Sequence, residues 1–236
     1  GPADERLGTG RHRARRVGVS KRRLTLLGVG AMNSPRFAPA GLLVEHSSHR
    51  VMLDGGPGAE PDGELSAWLV TDDRGEFIRD LRRLARARGL EPVVGAYDRG
   101  GLSVEPWSVV HTSHPTYGYL IHSGGRQVVW APEFIEFPVW ADGADLMFAD
   151  AAGWDRPIRF AGGAGGHAPV IQVAREARDQ GVRRLVFAHV GRPTIRALDA
   201  GQRPPFGEVG ADGDVYIAVA AGWRRIRGQA GGHRSG

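Results

Sequence analysis

The stretch Leu65–Leu81 reads LSAWLVTDDRGEFIRDL and joins a buried strand to a helix through a short polar turn. The apolar run Ala67–Val70 is typical of a buried strand, and the apolar spacing that begins at Ile78 is typical of a helix. The turn between them, Asp72–Phe77, is dense in charge where the strand stops. Because strands of α/β proteins end at an open crevice, this turn is a candidate for a functional site.

Upstream of this turn the sequence predicts a strand, a loop and a hairpin. The strand Leu24–Leu27 leads into the Gly-rich segment Gly28–Arg36, which lacks the Lys and Ser/Thr of a phosphate-binding P-loop and is interpreted as a plain loop. Two further strands, Gly41–Glu45 and Arg50–Asp54, are joined by a turn at Ser47-Ser48 and form a predicted hairpin.

Downstream of the turn, helical and extended patterns are interleaved. The predicted elements are a helix over Ile78–Arg88, strands over Pro92–Tyr97, Leu102–Val110, Gln127–Glu133 and Asp145–Asp150, a helix that follows the Gly-rich loop Gly162–Gly166, and strands over Val182–Phe187 and Val215–Val219. A Pro-rich turn is predicted within Arg192–Gly236. This mixture predicts the α/β class.

The length of 236 residues suits one large domain with a full core, or two small ones. We expect a basic arm over residues 1–22, a single domain over residues 23–222, and a flexible tail over residues 223–236. Gly1-Pro2 has the form of a remnant left by protease cleavage and is set aside from fold reasoning.

The composition limits the chemistry and the compartment. The chain has no cysteine, which excludes disulfides and Cys-ligated zinc. Its apolar runs are too short to cross a bilayer, and its N-terminal residues show no signal peptide. We therefore predict a cytoplasmic protein with no membrane association.

The formal charge is +5, and every basic residue except Lys21 is an arginine. Much of the excess lies in Arg11–Arg23, a pattern typical of a solvated arm and, less often, of a nucleic-acid contact. The arginine bias itself is explained by a GC-rich genome or by phosphate recognition.

The order of these motifs resembles the metallo-β-lactamase superfamily, in particular its ribonuclease Z and phosphodiesterase-like branch. The resemblance rests on LGVGAMNSPR, GLLVE and RVMLDGGPG, followed by a strand that ends in Thr and leads into a polar turn and a helix, and it covers Leu24–Gly191. It implies an αβ/βα four-layer sandwich in which two mixed sheets face each other, helices lie outside, and the site follows one rim.

In this superfamily the turn carries the metal ligands His-x-His-x-Asp-His, and the corresponding positions here are Asp72, Arg74, Glu76 and Phe77. The two carboxylates, Asp72 and Glu76, can bind a metal ion. Arg74 stays protonated and Phe77 has no donor atom, so neither can serve as a ligand. The resemblance therefore implies a divergent site, with a single metal ion or none.

Further site residues follow from the same resemblance. The histidine upstream of Gly-Tyr corresponds to His114 or His111, of which His114 matches better. Glu133 takes the place of the acid that bridges two metal ions, and a surface Glu after a Pro turn is the alternative. His167 lies where a histidine lines the site, and His189 lies in a motif similar to Thr-His-hydrophobic-Gly.

These arguments give three groups of candidate residues. The expected metal ligands are Glu76, His114, Glu133 and His189. The expected catalytic residues are Asp72, Arg74, Glu76, His114 and His167. The residues expected to support ligands by hydrogen bonds are Asp54, Asp73, His111 and Asp150.

The function implied is that of a divergent hydrolase-like enzyme acting on a phosphate ester or another anionic small molecule. An oxygen-rich ligand set suits one Mn, Fe or Mg ion better than a zinc pair, and a single Zn is the remaining metal. With no metal, Arg74 would pair with Asp72 or Glu133. The alternatives are a catalytically silent binding or scaffold protein and a nucleic-acid binder that uses Arg11–Arg23; a homodimer is the default oligomer.

Overall fold

The computed structural model describes residues 21–227. The predictions for most of the basic arm and for most of the C-terminal tail fall outside these residues. The strand that opens the fold, β1, begins at Arg22.

The first sheet has six strands in the order β15-β14-β1-β2-β3-β4. They are β1 (Arg22–Gly28), β2 (Gly41–His46), β3 (His49–Asp54), β4 (Ala67–Leu69), β14 (Val215–Val219) and β15 (Gly222–Ile226). The predicted hairpin of β2 and β3 is confirmed, because His46 pairs with His49 across its turn. β4 runs parallel to β3 and the other neighbours are antiparallel, so the sheet is mixed.

The second sheet has seven strands in the order β13-β12-β9-β8-β7-β6-β5. They are β5 (Tyr97–Arg99), β6 (Leu102–Val109), β7 (Thr116–Ser123), β8 (Arg126–Ala131), β9 (Leu146–Ala151), β12 (Leu185–Val190) and β13 (Glu208–Val209). A separate two-stranded ribbon consists of β10 (Ile158–Arg159) and β11 (Gly166–His167). The sheet is parallel from β8 to β13 and antiparallel from β5 to β8.

Alternation along the strands divides the apolar side chains between two cores. Leu42 and Val44 belong to the main core, which the second sheet shares. Leu43, between them, belongs to a smaller cluster with Trp68 and Leu81. Successive side chains of a strand point to opposite faces, so the first sheet packs on the second sheet with one face and on a helix with the other.

The helices are α1 (Ile78–Arg86), α2 (Val170–Asp179) and α3 (Arg192–Asp199). α1 covers the outer face of the first sheet, and α2 packs against β9 and β12 of the second. The result is the predicted four-layer sandwich with two mixed sheets inside and helices outside. Among residues 21–227, no helix combines the length and the apolar character needed to cross a bilayer.

Two sequence predictions about elements are wrong, and one helix was not predicted. The unpredicted helix is α3, whose first turn tolerates Pro193 because the amide hydrogens there lack helical acceptors. The strand predicted over Pro92–Tyr97 is reduced to an isolated bridge at Val93 and the short β5. The flexible tail predicted from residue 223 begins later, because β15 extends to Ile226 and Trp223 is buried within it.

Candidate metal centre

A cavity of about 530 Å³ opens where strands of both sheets end. The first sheet contributes residues at or just after the ends of β3 and β4, and the second contributes residues at or just after the ends of β8, β9 and β12. Asp54, Asp72 and Glu76 line it from the first sheet, and Glu133 and His189 line it from the second. The predicted acidic turn and the histidine that follows Ala188 thus share one cavity.

Three histidines and one carboxylate converge in this cavity. We call His111, Glu133, His167 and His189 the donor cluster. One ligand atom from each of His111, Glu133 and His167 lies within 4.8 Å of the others. The Nε2 atoms of His189 and His111 lie 3.1 and 3.6 Å from Glu133 Oε1.

Hydrogen bonds fix the orientation of two of these imidazoles. His111 Nδ1 lies 2.9 Å from the carbonyl oxygen of Gly166, so it must donate. His167 Nδ1 lies 2.7 Å from Asp150 Oδ2 and donates to that carboxylate. In the neutral ring the proton then sits on Nδ1 and the Nε2 lone pair is free, which is the usual arrangement of metal-binding histidines.

Asp150 is a fully buried carboxylate behind the donor cluster. It accepts hydrogen bonds from the backbone N–H groups of Phe134 and Ala152, each at 3.0 Å, besides the one from His167. Burial alone would raise its pKa, but the charges of His167 and His189 and the hydrogen bond from His167 hold the pKa well below its usual range. Asp150 is therefore an ionised acceptor that orients the imidazoles.

His189 lies between two carboxylates. Burial lowers the pKa of His189, but Glu133 and Asp150 outweigh burial and raise this pKa to about 10. Burial likewise raises the pKa of Glu133, and the three imidazoles of the cluster overcome it and lower this pKa to about 2. His189 Nδ1 is 3.5 Å from Asp150 Oδ1 and is a buried polar atom without a hydrogen-bond partner among the described residues.

The donor distances around Glu133 are compatible with one divalent metal ion. Ligand bonds of about 2.1 Å at tetrahedral angles place neighbouring donor atoms about 3.4 Å apart. The 3.1 and 3.6 Å separations around Glu133 Oε1 bracket this value. His111, Glu133, His167 and His189 are thus candidate ligands, and Asp150 forms a second group of potential ligands with His167 and His189.

The predicted ligand His114 is engaged elsewhere at the cavity. Its Nε2 lies 2.9 Å from both carboxylate oxygens of Asp72. Asp72 also accepts a 2.8 Å hydrogen bond from the backbone N–H of Arg74. The structure thus groups His111, rather than His114, with Glu133.

Two other charged residues of the turn, Arg74 and Glu76, are exposed. Glu76 lines the cavity but is exposed and belongs to no group of three potential metal ligands within the described residues. The side chain of Arg74 is 70% exposed, and its ion-pair partner is Asp73, at 4.0 Å. The expectation that Arg74 pairs with Asp72 or Glu133 is therefore wrong, because only its backbone N–H reaches Asp72.

Asp54 joins the turn to both sheets. Its carboxylate accepts hydrogen bonds from Thr71 N and Oγ1, at 2.8 and 3.0 Å, and from Trp130 Nε1 at 2.7 Å. Its backbone has a φ of 52°, which is uncommon for a residue with a side chain. Burial raises the pKa of Asp54 to about 6, against the effect of these donors.

Solved structures resemble this architecture over most of its length. The YhfI protein of Bacillus subtilis, described as a metallo-β-lactamase fold protein, superimposes with a TM-score of 0.67 at 15% identity over 84% of this chain and 100% of its own. The chain has the metallo-β-lactamase fold.

Two further structures with this fold have names that describe an activity. A diphosphatase of the PhnP family superimposes with a TM-score of 0.61 at 17% identity, over 84% of this chain and 97% of its own. The short form of human tRNase Z superimposes with a TM-score of 0.56 at 15% identity, over 88% and 99%. No protein-family model and no curated protein matches the sequence.

The metallo-β-lactamase fold thus carries here a donor cluster that differs from the predicted ligand set. His167, predicted to be catalytic, and His111, predicted to support a ligand, replace Glu76 and His114 in the group. Sequence reasoning also missed Phe160, whose ring lies 5.3 and 5.6 Å from those of His111 and His167. The one available signal for Phe160 was its position at the start of a Gly-rich loop.

Proposed function

We propose that this protein is a divergent hydrolase of the metallo-β-lactamase fold that uses one divalent metal ion to cleave a phosphate ester or another anionic small molecule. The observation that carries the proposal is the convergence of the donor cluster, with the Nε2 atoms of His111 and His167 left free by hydrogen bonds at Nδ1. The names of two structural neighbours, a diphosphatase and a tRNase, support phosphorus chemistry.

The donor cluster would hold the metal ion through His111, Glu133, His167 and His189. Three imidazoles and one carboxylate are richer in nitrogen than the sequence suggested, which favours Zn²⁺ or Fe²⁺ over Mg²⁺. When bound, such an ion supplies Lewis acidity toward an anionic ester and lowers the pKa of water.

A single ion suits the acidic turn better than a pair. A second ion would need donors from the turn, and there Arg74 and Phe77 cannot bind a metal. Asp72 is committed to His114 at 2.9 Å. Glu76 is the remaining carboxylate of the turn at the cavity, and one exposed carboxylate does not make a metal site.

The pair formed by Asp72 and His114 is suited to proton transfer. Both residues line the cavity, and Asp72 accepts the Nε2–H of His114. This bond leaves His114 Nδ1 as the basic atom of the neutral ring, and the carboxylate stabilises the imidazolium that forms when Nδ1 takes a proton. We assign the pair the role of general base or acid beside the donor cluster.

A second candidate function is binding without catalysis. Protonated His189, with its nitrogens 3.1 Å from Glu133 and 3.5 Å from Asp150, neutralises both carboxylates in part without a metal ion. A catalytically silent member of this fold would keep that ion pair and take up no metal.

Metal analysis and turnover of bis(p-nitrophenyl) phosphate separate the two functions. After incubation with Zn²⁺ or Fe²⁺ and desalting, we expect about one ion per chain and metal-dependent release of nitrophenolate. His111→Ala and His189→Ala should lose both, whereas His122→Ala, which removes an exposed histidine of β7, should keep both. A wild-type protein that remains metal-free, or variants that retain the ion, would contradict the proposal.

A further inference from the structure

One side of the cavity is apolar. We call the side chains that form it the apolar wall: Met32, Phe77, Ile78, Leu81, Ile158 and Phe160. Met32 and Phe160 are 45% and 36% exposed, so large apolar surfaces face the open cavity. An apolar surface beside convergent polar groups is the usual composition of a small-molecule pocket.

Phe77 and Ile78 form the part of the wall that belongs to the first sheet. Both are half-buried and pack against the small core that contains Trp68 and Leu81. The same side chains line the cavity, so each has one face in the core and another toward the cavity. Packing on one side restricts their motion, which makes this part of the wall a preformed surface.

Phe160 places an aromatic ring beside the donor cluster. It lies between β10 and β11, and its ring meets those of His111 and His167 edge to face, with interplanar angles of 68° and 89°. The loop that carries it is held by hydrogen bonds from Phe160 N to Gly165 O and from Gly166 N to His111 O, at 3.2 and 2.8 Å. The apolar wall therefore reaches the candidate metal ligands themselves.

Two arginines at the cavity supply charge that favours an anion. Arg74 and Arg192 both line the cavity and are exposed. The carboxylate paired with Arg74 is 4.0 Å away, and Arg192 donates a long 3.4 Å hydrogen bond to the carbonyl oxygen of Asn33. Weak local contacts leave both guanidinium groups able to turn toward an anionic ligand.

These observations together define a substrate class. We propose that the site takes an anionic ester that carries an apolar group, aryl or branched alkyl, with the apolar group on the wall and the anionic centre at the donor cluster. This inference rests on the proposed function for the position of the anionic centre. The preference for a ligand with an apolar group over one without it depends on the apolar wall alone.

Paired phosphonates test the wall without turnover, because phenylphosphonate and methylphosphonate share one anionic group and differ in apolar surface. Calorimetric titration of the metal-loaded protein should show phenylphosphonate binding at least about tenfold more tightly, from burial of the ring. Phe77→Ala and Phe160→Ala should each reduce this preference to about threefold or less, and Val139→Ala, a change at a 74% exposed residue of another surface, should leave it intact. If Phe77→Ala destabilises the small core, Phe160→Ala alone tests the contribution of the wall to this preference.

Equal affinities of the wild-type protein for the two phosphonates would overturn the inference, whatever the turnover. A preference that survives both Phe variants would also overturn it. The two proposals can fail separately. If the protein cleaves no ester, the hydrolytic proposal is wrong. If the same protein still prefers phenylphosphonate and both Phe variants lose that preference, the inference about the apolar wall stands.

Discussion

His114 Nε2 lies 2.9 Å from both carboxylate oxygens of Asp72, so a residue of the acidic turn is bound to a histidine that follows a strand of the other sheet. This contact takes both side chains out of the donor cluster and leaves His114 Nδ1 available for proton transfer. It separates the residues that would hold a metal ion from those that would move a proton.

Asp72→Asn should therefore lower turnover of a phosphodiester about 10²-fold or more while the metal content stays at the wild-type level, because a general base contributes a factor of this order. Steady-state kinetics and metal analysis on the same preparation measure both quantities. Asp73→Asn, which changes the exposed neighbouring carboxylate, is the matched control and should be nearly neutral. Loss of the metal in Asp72→Asn would show instead that Asp72 is a ligand.

Asp150→Asn should weaken metal binding by about 10- to 100-fold, since Asp150 orients His167 and faces His189. Competition with a chromophoric chelator gives the affinity. The exposed Asp142 provides the control variant Asp142→Asn. An unchanged affinity would mean that His167 is held by its packing alone.

Gly165→Ala should reduce both metal affinity and thermal stability. A Cβ on Gly165 would lie 1.9 Å from the carbonyl oxygen of His111, at a φ of 93°. Gly162→Ala adds the same methyl group at a φ of 85° with no atom within 4 Å, so it shares the backbone strain and lacks the clash. The difference between the two variants in melting temperature and metal affinity measures the clash, and equal behaviour would refute this reading.

Stability should fall as the pH rises from about 4 to above 6, through the titration of Asp54. Burial raises the pKa of Asp54 from 3.8 to about 6, so the folded chain holds a proton that the unfolded chain has released. Ionisation then costs up to about 3 kcal/mol of unfolding free energy by pH 7. Urea unfolding of wild type and Asp54→Asn at pH 4.5 and 7.5 tests this, and parallel pH profiles would contradict it.

The fold was predictable because its apolar patterns are local. Strand alternation and the charged turn Asp72–Phe77 carry enough information to identify the layers, and the order of motifs identified the fold. α3 was missed because Gly191, the residue before its first turn, was assigned to the motif around His189 and no helix was sought after it.

The donor cluster was only partly predictable. His189 and Glu133 follow strands whose patterns are strong. The choice between His111 and His114 depends on Gly166, 55 positions away from the first, and on Asp72, 42 positions away from the second. Contacts between residues so far apart in the sequence produce no periodic pattern from which they could be predicted. The same holds for the packing of Phe160 on the two imidazoles.

The four residues of the donor cluster all come from the stretch between positions 111 and 189, whereas Met32, Phe77, Ile78 and Leu81 of the apolar wall come from the part before it. Four of the six wall residues are therefore encoded apart from the donor cluster, and Ile158 and Phe160 are encoded within its stretch. Recombination that exchanges the part before residue 111 for that of a relative would replace most of the apolar wall and keep the donor cluster together with Ile158 and Phe160. Such an exchange would vary most of the apolar surface of the cavity while the donor cluster stays constant.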